Sequence, residues 1–404
     1  MTHSPFKRVT LAPRDPILGL SDAFNTDARP TKINLGVGVY FDDGGRLPLL
    51  AAVREAENLR AAKLLARSYL PIDGIHAYND GVKKLLFGVE SPLITDGRIV
   101  TIQALGGTGA LRIGADFLKR LSPSVEVWIS DPSWENHRAL FEAAGFVVRN
   151  YPYYDPATHG LKFDAMIAAL ATAAPGAIVV LHACCHNPTG VDLDADQWRR
   201  VIDVVRERDL VPYIDIAYQG FGDGLEADAF AVRAMADAGI EFLVASSFSK
   251  SFSLYGERVG ALSIVTASRD EAARVLSQLK RTIRTNYSNP PTHGGAIIVS
   301  VLGTPTLRAM WEEELGVMRE RIRAMRIGLV ERLTQRIPGT DFGFVARQRG
   351  MFSYSGLNAA QVERLKDEFG IYALSSGRIC VAALNPRNID AVADAIAAVC
   401  APPR

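Results

Sequence analysis

Two periodicities divide this chain. From about residue 98, short apolar runs recur at 98–104, 125–130, 146–151, 177–183, 211–217, 240–246 and 259–265, separated by stretches whose apolar positions return every three or four residues. Runs this apolar, without strict alternation, predict strands buried on both faces. Their alternation with amphipathic helices predicts an α/β fold with a mostly parallel sheet covered on both sides. Asp194-Ala195-Asp196-Gln197 reads as a capping box that starts one of those helices.

Outside that core the pattern changes. Residues 1–50 carry turn signals and one extended run, Ile33-Asn34-Leu35-Gly36-Val37-Gly38-Val39-Tyr40, whose alternating glycines suggest close backbone approach. Residues 51–67 read as a helix, and Leu105-Gly106-Gly107-Thr108-Gly109 precedes another at 110–121. Thr304-Pro305 opens the longest helical pattern, with Leu307, Trp311, Leu315, Met318, Ile322, Met325, Leu329 and Leu333 in one stripe. After Pro338-Gly339 the chain reads as short strands and two helices, 358–369 and 386–399, a smaller α+β segment. A chain of 404 residues predicts one large domain plus a lesser one.

Charge changes the picture mainly by exclusion. A formal net charge of +1 without a basic block makes nucleic acid or an anionic membrane a poor partner. Met1-Thr2-His3-Ser4-Pro5-Phe6-Lys7-Arg8 lacks the apolar core of a signal peptide, and no run approaches a membrane span. Four cysteines in this length make no disulfide framework, so reduced thiols in a cytoplasmic protein are expected.

The candidate chemistry falls at the predicted strand ends, where open α/β sheets bind ligands. In Ser246-Ser247-Phe248-Ser249-Lys250-Ser251-Phe252-Ser253-Leu254-Tyr255-Gly256-Glu257-Arg258, a lone amine stands among hydroxyls eight residues before a guanidinium. Those groups suit an imine-forming lysine beside a phosphate site. The glycines at 106–109 can present backbone N–H groups to a phosphate. Asp215 lies inside an apolar strand, where a carboxylate needs a cation or strong donors; a protonated pyridinium is such a cation. In His182-Ala183-Cys184-Cys185-His186-Asn187 the Cys/His pairs lack a second ligand pair at metal spacing, so no metal is expected and Asn187 is the useful group.

Together these segments resemble the class I, fold type I, pyridoxal-phosphate-dependent aminotransferases of the aspartate/aromatic amino-acid subgroup. The likeness runs from Asp15-Pro16-Ile17-Leu18-Gly19-Leu20 through Ser376-Gly377-Arg378. It is strongest to the bacterial aromatic-amino-acid (tyrosine) enzymes through Tyr69-Leu70-Pro71, Thr101-Ile102-Gln103, Trp134-Glu135-Asn136-His137 and Phe252-Ser253-Leu254-Tyr255-Gly256-Glu257-Arg258. The resemblance implies a large cofactor domain at 46–317 and a small domain from 1–45 and 318–404. It implies a homodimer, and a ping-pong transfer from tyrosine, phenylalanine or aspartate to 2-oxoglutarate through the pyridoxal and pyridoxamine forms of the cofactor.

By the same resemblance Lys250 is the Schiff-base lysine and proton carrier, Asp215 holds the ring nitrogen, and His137 orients Asp215. Asn187 and Tyr218 bond the phenolic oxygen and Trp134 stacks on the ring. Gly107, Thr108, Ser247, Ser249 and Arg258 hold the phosphate, with Tyr69 from the partner subunit. Arg378 clamps the substrate α-carboxylate beside Gly38, Trp134 and Asn187, and Arg284 from the partner meets a distal carboxylate. Ser288 and Asn289 are rim residues, and Cys184, Cys185 and His186 are structural. Phe41 and Leu47 look aromatic-type, whereas Val39, Thr108 and Asn289 look aspartate-type, so dual specificity is expected, with strict aspartate aminotransferase as the alternative. A β-lyase or decarboxylase is disfavoured by two carboxylate clamps, and a non-catalytic regulator by the short N-terminus.

Overall fold

The computed structural model describes residues 4–12 and 16–401; residues 1–3, Asp15 at the head of the first matching segment, and residues 402–404 lie outside them. Seven strands, one on each apolar run, build the main sheet: β1 (Ile99–Leu105), β2 (Glu126–Asp131), β3 (Val147–Pro152), β4 (Ile178–His182), β5 (Val211–Ile216), β6 (Leu243–Ser247) and β7 (Val259–Val265). β6 starts later than its run suggests, because the Ile240 N–H closes the preceding helix on the Met235 carbonyl.

The strand order is β1-β7-β6-β5-β4-β2-β3. All neighbours are parallel except β7, which lies antiparallel between β6 and β1. Register sets His182 beside Asp215, and Asp215 beside Ala245. The chemistry-bearing residues of β4, β5 and β6 therefore share one sheet edge. Helices cover both faces, as burial of both faces requires.

α1 (Gly106–Leu121) begins at the glycines themselves, so residues 106–109 form its first turn rather than a loop before it. It packs across β6 and β7. A side chain at Gly114 would meet the Tyr213 hydroxyl at 2.0 Å, and that hydroxyl donates to the Ala110 carbonyl at 2.8 Å. The close approach fixes α1 against the sheet and aims its N-terminus at the edge where Asp215 ends.

The helix expected at 51–67 stops at Ala62. Its last turn tightens through Lys63 N–H to Arg60 O and Leu64 N–H to Ala61 O, and Leu64 turns left-handed. Leu64 and Leu65 stay exposed, so the apolar positions past Ala62 meet no core within this chain. α2 (Glu135–Ala143) carries His137, and α3 (Ala195–Glu207) starts at the expected capping box, with Asp194 and Gln197 bonded reciprocally at 2.8 and 2.9 Å. α4 (Arg269–Asn286) carries Arg284.

α5 (Pro305–Arg336) is the long helix, and its stripe is buried as expected except at one position. Met325 is half-buried and Arg326 points inward instead, where backbone carbonyls receive its guanidinium. Beyond α5, Ile33–Asn34 pairs in parallel with Ile371–Tyr372, and Phe352–Tyr354 pairs with Arg378–Cys380. The last two helices are Ala359–Phe369, capped by Asn358, and Ile389–Cys400, which starts after a turn over residues 385–388. Among the described residues no helix is long and apolar enough to cross a membrane.

Gly114→Ala should cost about 1–3 kcal/mol by overpacking. Urea unfolding should show a lower midpoint with an unchanged slope.

Candidate active site

At the carboxyl ends of β4, β5 and β6 lies a cavity of about 310 Å³. Gly38, Gly107, Thr108, Trp134, Asn187, Asp215, Tyr218, Ser247, Ser249, Lys250, Arg258 and Arg378 all line it. His137 stands directly behind Asp215. Two expected residues are elsewhere in this chain: Tyr69 is 89% exposed, and Arg284 is exposed with its guanidinium on the Ser288 hydroxyl.

Asp215 closes the bottom of the cavity. Burial alone would raise its carboxyl, but the hydrogen bond from His137, with the fields of His137 and Lys250, outweighs it and holds the group below the usual carboxylate range. His137 Nε2 lies 3.0 Å from Asp215 Oδ2, and its Nδ1 lies 2.9 Å from Ser133 Oγ. Both ring nitrogens are thereby fixed, and the imidazole cannot swing away from the carboxylate. α2 supplies this geometry in its first turn, which also sets the Trp134 ring edge-on to His137 at 5.3 Å.

The other end of the cavity is a cradle for an anion. Gly106 has φ +68°, and a side chain there would meet the Arg258 guanidinium at 2.5 Å. One at Gly107 would crowd Ser247 Cβ at 3.1 Å. The first turn of α1 thus comes close to Ser247 and Arg258, and Gly107, Ser247, Ser249 and Arg258 line one cavity. Ser247 and Ser249 share a hydrogen bond at 3.2 Å, and Arg258 Nη1 reaches Ser249 Oγ at 3.4 Å. Arg258 itself is left-handed, at φ +52°, a backbone cost met at a site rather than in a scaffold. A phosphoester at this end and a protonated ring nitrogen at the Asp215 end fit the groups present.

Lys250 lies between the two. Its loop is tied down by Trp311 of α5, whose indole N–H donates to the Ser251 carbonyl at 2.7 Å and whose ring stacks on Phe252 at 4.3 Å. The amine lies 4.8 Å over the Tyr218 ring. Loss of water, aided by the positive fields of Arg258 and Arg378, outweighs attraction to Asp215 and lowers Lys250 to about 8. Burial pushes the Tyr218 hydroxyl well up, so it stays protonated as a donor.

Arg378 forms the far wall. It is buried, with Nη1 donating to Asn187 Oδ1 at 3.1 Å, Nη2 to the Gly36 carbonyl at 2.7 Å, and Nε left without a partner. Among the described residues no carboxylate pairs with it; its guanidinium rests 4.2 Å over the Phe352 ring. A buried guanidinium with an open donor is a site for an incoming carboxylate.

Leu111, His182, Ala217, Tyr255 and Phe352 also line the cavity, and sequence reasoning assigned them no role. His182 had a signal: it ends the strand next to Asp215. Neither of its ring nitrogens has a partner, and burial, with the field of His137, lowers it to about 3, so it stays neutral between His137 and His186.

The depressed lysine has a consequence for stability. Below pH 8 the amine is charged in both folded and unfolded chains and its full burial penalty applies; the penalty fades as pH rises and is gone above the unfolded value of 10.5. In the ligand-free protein Lys250→Met should therefore stabilise by up to about 3 kcal/mol at pH 7. Denaturation at pH 7 and pH 11 should show that advantage vanish.

Residues 30–396 match the family of class I and II aminotransferases. The aspartate aminotransferase of Pseudomonas aeruginosa is 65% identical over 98% of this chain and 100% of that protein. The aromatic-amino-acid aminotransferase of Escherichia coli is 51% identical over 98% of this chain and 100% of that protein. A crystal structure of the aromatic-amino-acid aminotransferase from Burkholderia pseudomallei, covalently bound to pyridoxal phosphate, superposes with a TM-score of 0.97 at 68% identity, covering 98% of this chain and 99% of that one. With sequence, fold and a cavity suited to the same cofactor in agreement, the chain belongs to the class I and II aminotransferases and is a pyridoxal-phosphate-dependent transaminase.

Proposed function

We propose that this transaminase moves the amino group of aspartate, and of tyrosine and phenylalanine, to 2-oxoglutarate. The observation that carries the reading is Arg378, a buried guanidinium with no carboxylate partner among the described residues, facing the same cavity as an amine lowered to about 8. An amino acid offers the first its α-carboxylate and brings its Cα within the compass of the second.

Each residue has a task in this reading. Gly107, Thr108, Ser247, Ser249 and Arg258 hold the cofactor phosphate with the N-terminus of α1, and Tyr69 of the partner subunit joins them. Asp215, steadied by His137, keeps the ring nitrogen protonated, while Asn187 and Tyr218 donate to the phenolic oxygen and Trp134 covers the ring face. Bound there, pyridoxal phosphate supplies an electron sink for the pair left when a Cα proton departs. Lys250, when neutral, would take that proton from Cα and act as its carrier. Its lowered affinity for protons keeps a useful fraction of the amine free near neutral pH.

The substrate range follows from both ends of the pocket. Arg378 binds the α-carboxylate, and Arg284 of the partner subunit meets the distal carboxylate of a diacid. Half-buried Phe41 and exposed Leu47 offer apolar surface to an aromatic ring, while Val39, Thr108 and Asn289 keep the mouth suited to aspartate. Relatives named for each substrate class, at 65% and 51% identity, support this breadth. The 65% relative is named for aspartate and the 68% structural neighbour for aromatic amino acids, so these names give the strict aspartate alternative no advantage. The reading includes a homodimer in the cytoplasm, with domains at 46–317 and at 1–45 with 318–404.

Steady-state rates with aspartate and with phenylalanine against 2-oxoglutarate should both be substantial; turnover of aspartate alone selects the narrower reading. Arg378→Lys should lower kcat/KM for either amino acid roughly 100-fold, since an ammonium cannot replace a two-pronged donor.

A further inference from the structure

A second cavity, of about 140 Å³, lies away from the catalytic one, between the loop following Tyr218, the middle of α5 and residues 346–350. Its lining carries five guanidinium groups, those of Arg319, Arg323, Arg326, Arg347 and Arg349, and a single carboxylate, Asp223. Arg319, Arg323 and Arg326 stand four and three residues apart on one face of α5, an arrangement that works against a helix. Backbone carbonyls hold Arg326 and, through Gly220 at 3.1 Å, Arg319, but the like charges still gather around one opening.

The charge is incompletely met. Asp223 is divided between Arg349 at 2.8 Å and Arg323 at 3.4 Å, and the exposed Glu320 between Arg319 at 3.3 Å and Arg323 at 3.4 Å. Arg326 is buried at the floor. It donates to the carbonyls of Val345, Gly350 and Phe352 and to the Ser353 hydroxyl, but among the described residues no carboxylate lies within ion-pair distance. Among the described residues Arg347 has no ion pair either. A charge withdrawn from water without a counter-ion is costly, and a planar guanidinium presents paired donors suited to tetrahedral oxyanions.

The rim is also fixed in advance. The buried carboxylate of Asp228 accepts from the N–H groups of Gly220, Gly222 and Asp223 at 2.8, 2.9 and 2.9 Å, so the loop carrying Asp223 has a set shape. On the opposite side Arg349 N–H donates to the Gly190 carbonyl at 2.7 Å. The arginines are thereby held apart around an opening rather than collapsed onto one another.

We propose that this cavity is a second anion site, binding a small multivalent phosphate-type oxyanion, either free or as the terminal phosphates of a nucleotide. It shares structure with the catalytic pocket: the Phe352 carbonyl accepts from Arg326, and the Phe352 ring lies under Arg378. Gly190 stands three residues beyond Asn187.

The test uses holoenzyme saturated with pyridoxal phosphate, in chloride at constant ionic strength, titrated calorimetrically with pyrophosphate and separately with ATP. Saturable binding of one anion per chain is expected. Arg347→Gln should weaken it about tenfold, the scale of one charge-assisted contact. Asp223→Asn should tighten it by removing the one carboxylate in the cavity lining; if that variant does not fold, Arg349→Gln should weaken it instead. Tighter pyrophosphate points to the free anion, and tighter ATP to a nucleotide. Cofactor absorbance and turnover of aspartate should persist in each variant. The proposal is overturned by absence of saturable heat with both anions, or by unchanged affinity in Arg347→Gln. It is equally overturned by binding confined to cofactor-free protein, which would put the anion in the Gly107–Arg258 cradle.

Discussion

An ionised carboxylate inside an apolar parallel sheet is the constraint on which this active site depends. Asp215 stands between β4 and β6, where water cannot reach it freely, and stays charged only because His137 is clamped against it. The clamp dictates much of its surroundings. α2 has to begin where it does to bring His137 and Ser133 into line, and that start places Trp134 at the mouth of the cavity. His182, next door in the sheet, stays neutral because burial lowers it to about 3.

Lys250 answers the same field from the other side. Left in water it would hold its proton to well above pH 8; enclosed, with Arg258 and Arg378 nearby, it gives it up at about 8. What keeps it enclosed is remote packing: the indole of Trp311, on a helix that otherwise serves as scaffold, bonds the backbone one residue along from the amine. Sheet edge, loop and long helix are thus joined in setting the proton affinity of a single nitrogen.

The sequence made the sheet legible because its strands are apolar runs bounded by turn residues, and it made Asp215 legible because a charge in such a run is an anomaly. Lys250 and Arg258 were readable as a local cluster within one turn. Phe352 and Tyr255 were not, since they reach the cavity through tertiary packing that no local period encodes. Helical periodicity permitted either Met325 or Arg326 to face inward, and the waiting carbonyls near Val345 and Phe352 decided it. The end of the helix at Ala62 escaped notice because the apolar pattern continues past the last residue with a core to meet. The tasks proposed for Tyr69 and Arg284 lie across a subunit boundary, which one chain does not display.

The guanidinium of Arg378 is tethered to the Gly36 carbonyl, and Gly36 belongs to a segment paired not with the main sheet but with Ile371–Tyr372. A side chain at Gly38 would strike Phe352 at 2.6 Å, so that segment lies tight against the rim as well. Bond-making machinery and the surface that greets a substrate are therefore mounted on separate supports. Changes over residues 36–41 meet the substrate surface first and reach the amine of Lys250 only at second hand, through Arg378 and through the Tyr40 N–H, which donates to the Tyr255 hydroxyl at 3.0 Å.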